Sequence, residues 1–147
     1  MANLGVTSIG HIAIRAHDLD SLVAFYTGKL GFSEMFRLNQ EDGSLMLVYL
    51  RITDDQYLEL FPNGVGDAAP ARDATGMTHV CLAVSDLEAT VAALEGADVT
   101  ITVPLKTGKD GNRQAWIADP EGNRIELMEM SSSSLQAQAI ARMQGGR

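Results

Sequence analysis

The sequence predicts an α+β fold built from two βαβββ modules, and three observations carry that expectation. First, "IGHIAIRAHDLD" at residues 9–20 returns as "MTHVCLAVSDLE" at residues 77–88, with a histidine in the third place each time. Second, each copy opens with an alternating, strand-like run, passes into a helical one, and continues into three strand-like runs separated by turn residues. Third, 147 residues suit one compact domain or two fused half-domains, and 46% apolar with 20% charged residues suits a chain that buries a core.

In the first copy, residues 9–16 alternate as a strand, and Asp18 opens a helical run through "LDSLVAFYTGKL" that stops at Gly31. "SEMFRLNQ", "LMLVYLRI" and "QYLELFP" follow as strands, broken by the tight-turn stretches "EDG" and "DD". This gives a first module over residues 8–63. Residues 64–75 are rich in glycine and alanine and read as a surface linker. The weak dinucleotide-like pattern G-x-G-x-x-A inside it is discarded, because Pro70 follows where a helix would have to continue.

The second module spans residues 76–130. "THVCLAV" reads as a strand, and "SDLE" as a capping box, with Ser85 and Glu88 satisfying free helix N–H groups ahead of a helix over 86–95. "VTITVPL", "RQAWIAD" and "NRIELMEM" supply three more strands, and "DPEG" suits a type I turn between the last two. Residues 131–147 form a tail with a polar spacer, a short weakly amphipathic helix and a frayed end, whose function is not readable.

The formal charge of −8 argues against nucleic acid and against anionic membranes as partners, since both are bound chiefly through lysine and arginine. No apolar run is long enough to span a bilayer, and "MANLGVTS" has neither a basic start nor an apolar signal core, so the expectation is a cytoplasmic protein. Cys81 is the single cysteine, which excludes an intrachain disulfide and reads as a buried structural thiol rather than a nucleophile.

Strand alternation then sorts the polar residues. His11, Ala13 and Arg15 share one face of the first strand, and Tyr57, Glu59 and Phe61 lie opposite the core-facing Leu58 and Leu60. In the second module His79, Cys81 and Ala83 share a face, as do Arg124, Glu126 and Met128. A carboxylate between aliphatic neighbours is costly to bury unless something positive pairs with it. Each module spends one His and one Glu in this way, at separations that differ by a single residue. Two imidazoles and two carboxylates suit a mononuclear divalent metal site with room for water or a bidentate substrate. The plainer alternative is a histidine satisfied by a backbone carbonyl and a glutamate facing solvent.

The stretches "GHIAIRAHDLDSLVAFYTGKLGF", "YLELFPNG", "MTHVCLAVSDLE" and "DPEGNRIELME" resemble the vicinal oxygen chelate superfamily, and within it most closely glyoxalase I (lactoylglutathione lyase). The resemblance covers roughly residues 8–130. It implies the glyoxalase/bleomycin resistance/dioxygenase fold, in which paired modules form curved sheets around a metal cleft. It matches His11, Glu59, His79 and Glu126 to the family's ligand places. It implies conversion of a hemithioacetal of methylglyoxal and glutathione to a lactoyl thioester, with Glu126 and Glu59 as candidates for moving the proton. Arg15 and Asn63 match positions that contact glutathione, although Arg15 could be a solvent-facing charge and Asn63 before Gly64 could be turn chemistry. Lys106, Lys109 and Arg113 could also meet a carboxylate. The metal implied is nickel or cobalt, with zinc, manganese or iron also compatible with these donors. The resemblance further implies a homodimer, with sites either shared between chains or closed within one. The rival readings are another metalloenzyme of the superfamily, an extradiol-type dioxygenase or an epimerase, and a non-catalytic antibiotic-binding resistance protein.

Overall fold

The computed structural model of the chain describes residues 4–145. The first residues of "MANLGVTS" and residues 146–147 of the expected frayed end lie outside the described residues. The chain separates into two compact units with the boundary between Ala68 and Ala69, inside the glycine- and alanine-rich stretch.

The first unit runs β1 (His11–Arg15), α1 (Leu19–Gly28), β2 (Ser33–Asn39), β3 (Leu45–Thr53) and β4 (Gln56–Phe61). Its four strands form one sheet in the order β1-β4-β3-β2, with β1 parallel to β4 and the remaining pairs antiparallel. Asp18 caps α1 by accepting a hydrogen bond from the Ser21 N–H. The helix ends at Gly28, three residues before Gly31, whose φ of 73° turns the chain toward β2. The core lies between α1 and one sheet face. Leu22 and Tyr26 meet the layer of Val48, Leu50, Leu58 and Leu60, all buried, and each such aliphatic side chain contributes about 1.5–3 kcal/mol.

The junction after β4 is tight. The Ala16 N–H donates to the Phe61 carbonyl and the Gly64 N–H to the Ala16 carbonyl, both at 2.7 Å. A Cβ on Gly64 would stand 2.9 Å from the Ala16 carbonyl carbon and oxygen, which are backbone atoms with little freedom to retreat. Gly64→Ala is therefore expected to destabilise this unit by about 1–3 kcal/mol, the usual range for overpacking. Denaturant unfolding would read this, and an unchanged midpoint would refute it.

The second unit runs β5 (Val80–Ala83), α2 (Leu87–Gly96), β6 (Val103–Thr107), β7 (Arg113–Ala118), β8 (Arg124–Glu129) and α3 (Leu135–Gly145). The sheet order β5-β8-β7-β6 repeats that of the first unit, again with its one parallel pair, β5 with β8, at the edge. Leu87 and Leu94 of α2 are buried, as are Ala115, Ile117, Ile125 and Leu127 of the sheet beneath it.

Two local expectations are corrected. The cap of α2 is Asp86, which accepts from the Ala89 N–H, and not Ser85; the Glu129 carboxylate takes the Leu87 N–H, and Glu88 pairs with Arg113. The strand expected from Val99 begins only at Val103. The chain first leaves the helix through Asp98, at φ 59°, with the Val99 N–H donating back to the Leu94 carbonyl, so Val99 is buried as a helix-terminal anchor. Pro104, which has no N–H, lies within the register shift between Val103 and Lys106.

The tail does form a helix, α3, which buries none of its own side chains. It docks through polar groups. Buried Asn112 accepts the Ser131 N–H and donates to Asp110 and to Gln136, while buried Ser134 accepts the Ala137 N–H. Asn112→Ala strands the Ser131 N–H and is expected to cost about 1–3 kcal/mol. Hydrogen exchange should show residues 131–145 losing protection while Ile117 and Leu127 keep theirs; uniform protection would refute the anchoring role.

Candidate functional site

In the first unit, the parallel register sets His11 beside Tyr57, Ala13 beside Glu59 and Arg15 beside Phe61. These side chains lie on the sheet face opposite the buried Leu58 and Leu60, as the alternation requires. His11 Nε2 stands 3.3 Å from Glu59 Oε2, with the imidazole 48% and the carboxylate 16% exposed. Tyr49 lies directly across from Glu59 on β3 and presents its ring to His11 at 6.2 Å between centroids. Tyr49 is stacked on Phe36 at 4.8 Å and leans on Tyr57, so Glu59 sits on an aromatic floor.

The second unit builds the same pair at the corresponding places. His79, immediately before β5, has its Nε2 3.1 Å from Glu126 Oε2 on β8, with exposures of 32% and 15%. Trp116 lies directly across from Glu126, as Tyr49 does from Glu59. Its ring meets the imidazole of His79 edge-on at 4.8 Å, and the Arg124 guanidinium covers it at 4.6 Å.

The residues picked out by the sequence are thus brought together two by two, one nitrogen and one oxygen donor per unit. The donor types, imidazole and carboxylate, suit a divalent ion, and each pair stands at ion-pair distance. Among the described residues of either unit, no third His, Cys, Asp or Glu joins its pair to form a metal-holding group.

The other candidates divide. Arg15 donates from Nη1 to the Pro62 carbonyl at 2.9 Å and lies over the Phe61 ring at 5.3 Å, so part of its guanidinium already braces the end of β4. Asn63 adopts φ 64°, a conformation that asparagine tolerates in turns. Arg113 is engaged by Glu88 and Glu129, which removes it from the pool of substrate-binding cations. Asn123 closes its side chain on the Asp119 carboxylate and shapes the turn before β8. Cys81 is exposed rather than buried, because it lies on the open face beside Glu126. Its thiol is pushed up to about 11, first by partial desolvation and then by the Glu126 carboxylate, so the sulfur is a poor nucleophile at neutral pH.

Sequence reasoning passed over Tyr49, Trp116 and Thr78. The rings could have been found from alternation, which places them on the glutamate face of β3 and β7. Thr78 could have been found from the repeat, where it stands in place of Gly10.

Two βαβββ units, each with a His/Glu pair on its open face, define a class of duplicated α+β proteins. The chain belongs to the Glyoxalase/Bleomycin resistance protein/Dioxygenase superfamily, whose family profile matches residues 8–127. It is similar to the uncharacterized protein YaeR of Escherichia coli (strain K12), 34% identical over 130 residues that cover 86% of this chain and 98% of that protein. It is also similar to a probable lactoylglutathione lyase of Vibrio cholerae, 30% identical over 124 residues, 81% of this chain and 88% of that one. Among solved structures, the trypanothione-dependent glyoxalase I of Leishmania major superposes with a TM-score of 0.71 at 28% identity, covering 97% of this chain and 100% of that one. Its two mixed four-stranded sheets and three helices are those of the superfamily fold.

Proposed function

We propose that this protein is a metal-dependent lyase of the glyoxalase I type, which isomerises the hemithioacetal of methylglyoxal and a thiol, glutathione, to the lactoyl thioester. The observation that carries the reading is the duplicated pair: an imidazole Nε2 and a glutamate oxygen at 3.3 and 3.1 Å at corresponding places of both units. His11, Glu59, His79 and Glu126 together would hold one divalent ion, nickel or cobalt before zinc, manganese or iron. A bound ion supplies Lewis-acid stabilisation of the charge that develops on two adjacent substrate oxygens.

The rest falls to the chain's own groups. Glu126 or Glu59 takes the proton from the carbon that bears the hydroxyl and returns it to the neighbouring carbon, while the hydroxyl proton is exchanged through solvent for one on the neighbouring oxygen, so the substrate is isomerised without net gain or loss. Both carboxylates are largely covered yet lie beside an open imidazole, which suits a base that must reach substrate. The Arg15 N–H groups other than the one on Pro62 can meet a substrate carboxylate, with the Asn63 amide beside the same strand end.

We take the working unit to be a cytoplasmic homodimer. Leu4, Val6, Ile9, Val65 and Met77 are all more than two-thirds exposed, and such apolar surface is what a second copy covers. Among the described residues no helix is long and apolar enough to cross a membrane.

The test is to strip the protein of metal, restore each divalent ion in turn and follow thioester formation from methylglyoxal and glutathione. Product carrying solvent deuterium at the transferred carbon, with nickel or cobalt most active, is expected. No turnover with any ion or thiol adduct would replace this reading with another reaction of the superfamily.

A further inference from the structure

The two half-sites differ in how their histidine is held. His11 follows Gly10 and, among the described residues, faces Glu59 and the ring edge of Tyr49 at 6.2 Å. His79 follows Thr78, whose Oγ1 lies 2.7 Å from His79 Nδ1. The second imidazole is therefore engaged at both nitrogens, by Thr78 and Glu126, and along one side by Trp116. Trp116 is itself fixed by its Nε1–H donating to Gln114 Oε1 at 2.9 Å and by Arg124 on its face.

We propose that Thr78 is a positioning residue that holds the ring orientation of His79 for metal uptake. A neutral imidazole has one N–H. With no ion bound, Nε2 lies 3.1 Å from Glu126 Oε2 and the Thr78 hydroxyl meets Nδ1 at 2.7 Å, donating to it when it is bare and accepting from it when it carries the proton. An ion at Nε2 requires the lone pair there, so the proton must reside on Nδ1, where Thr78 Oγ1 accepts it. A hydroxyl serves both states because it donates and accepts; a methyl group serves neither. Partners of this kind on a ligand histidine are typically worth 10–100-fold in metal affinity. The proposal deepens the metal reading above and rests on it for its binding arm alone.

The experiment compares wild type, Thr78→Val and Thr78→Ser by ¹⁵N NMR of the imidazoles and by zinc titration, at a pH where imidazoles are neutral. In the metal-free protein, His79 of Thr78→Val should show an altered Nδ1 shift, with His11 unchanged as an internal control. Zinc affinity should fall by about 10–100-fold in Thr78→Val and be restored in Thr78→Ser. An unaltered His79 Nδ1 signal, or zinc affinity within twofold of wild type in the valine variant, overturns the proposal. Wild type that binds no zinc, nickel or cobalt overturns the metal reading instead, while the metal-free spectra still decide whether Thr78 holds the His79 ring.

Discussion

His79→Ala is expected to yield a folded protein that retains no stoichiometric divalent metal and has lost turnover. The fold should survive because His79 precedes β5, is about one-third exposed and contributes nothing to the buried layer beneath α2. Away from core and caps, substitutions usually move stability by no more than about 0.5 kcal/mol. The effect on metal should be large because the imidazole is one of only two donors in its unit's pair, and Glu126 alone offers a single carboxylate. Loss of affinity should exceed the about 10–100-fold typical of changes outside the ligand set. Elemental analysis of the purified variant decides it, with thermal unfolding as the control. One tightly bound ion per chain in the variant would remove His79 from the ligand set, and with it the four-donor reading.

The repeat made the architecture legible, since period-two alternation in "QYLELFP" and "NRIELMEM" separates Leu58, Leu60, Ile125 and Leu127, all buried, from Glu59 and Glu126 on the other face. The same alternation placed His11 with Glu59 and His79 with Glu126. What escaped depended on contacts between residues far apart in sequence, or on choices between adjacent residues. Ser85 and Asp86 are both good caps, and the choice falls to Asp86 because Glu129 of β8 takes the neighbouring Leu87 N–H. Val99 looks like strand by its β-branched character, yet packing draws it into the helix-terminal turn. Cys81 is apolar in character and was assigned to the interior, although it shares the open face with Glu126. The docking of α3 through Asn112 has no apolar pattern to announce it.

Mixing inactive His11→Ala chains with inactive His79→Ala chains is expected to restore activity. The expectation follows from a dimer in which each site draws His11 and Glu59 from one chain and His79 and Glu126 from its partner. Each unit supplies two donors only, and β1 and β5 are edge strands that carry their histidines at or just before the first residue. An edge strand with apolar surface ahead of it, such as Val6 and Ile9 before β1, gains by being covered by a second copy. In a mixed dimer one shared site then carries both substitutions and the other carries neither. Random pairing makes half of the dimers mixed, with one of two sites intact, so about one quarter of wild-type activity should return. A mixture of His79→Ala with Glu126→Ala chains is the control, because both lesions fall in the same half-site and no shared site is left whole. Subunit exchange is verified by mass-tagging one variant and recovering mixed dimers. Proven exchange with no recovered activity would mean that each site is closed within one chain, since both subunits of every mixed dimer would then remain broken.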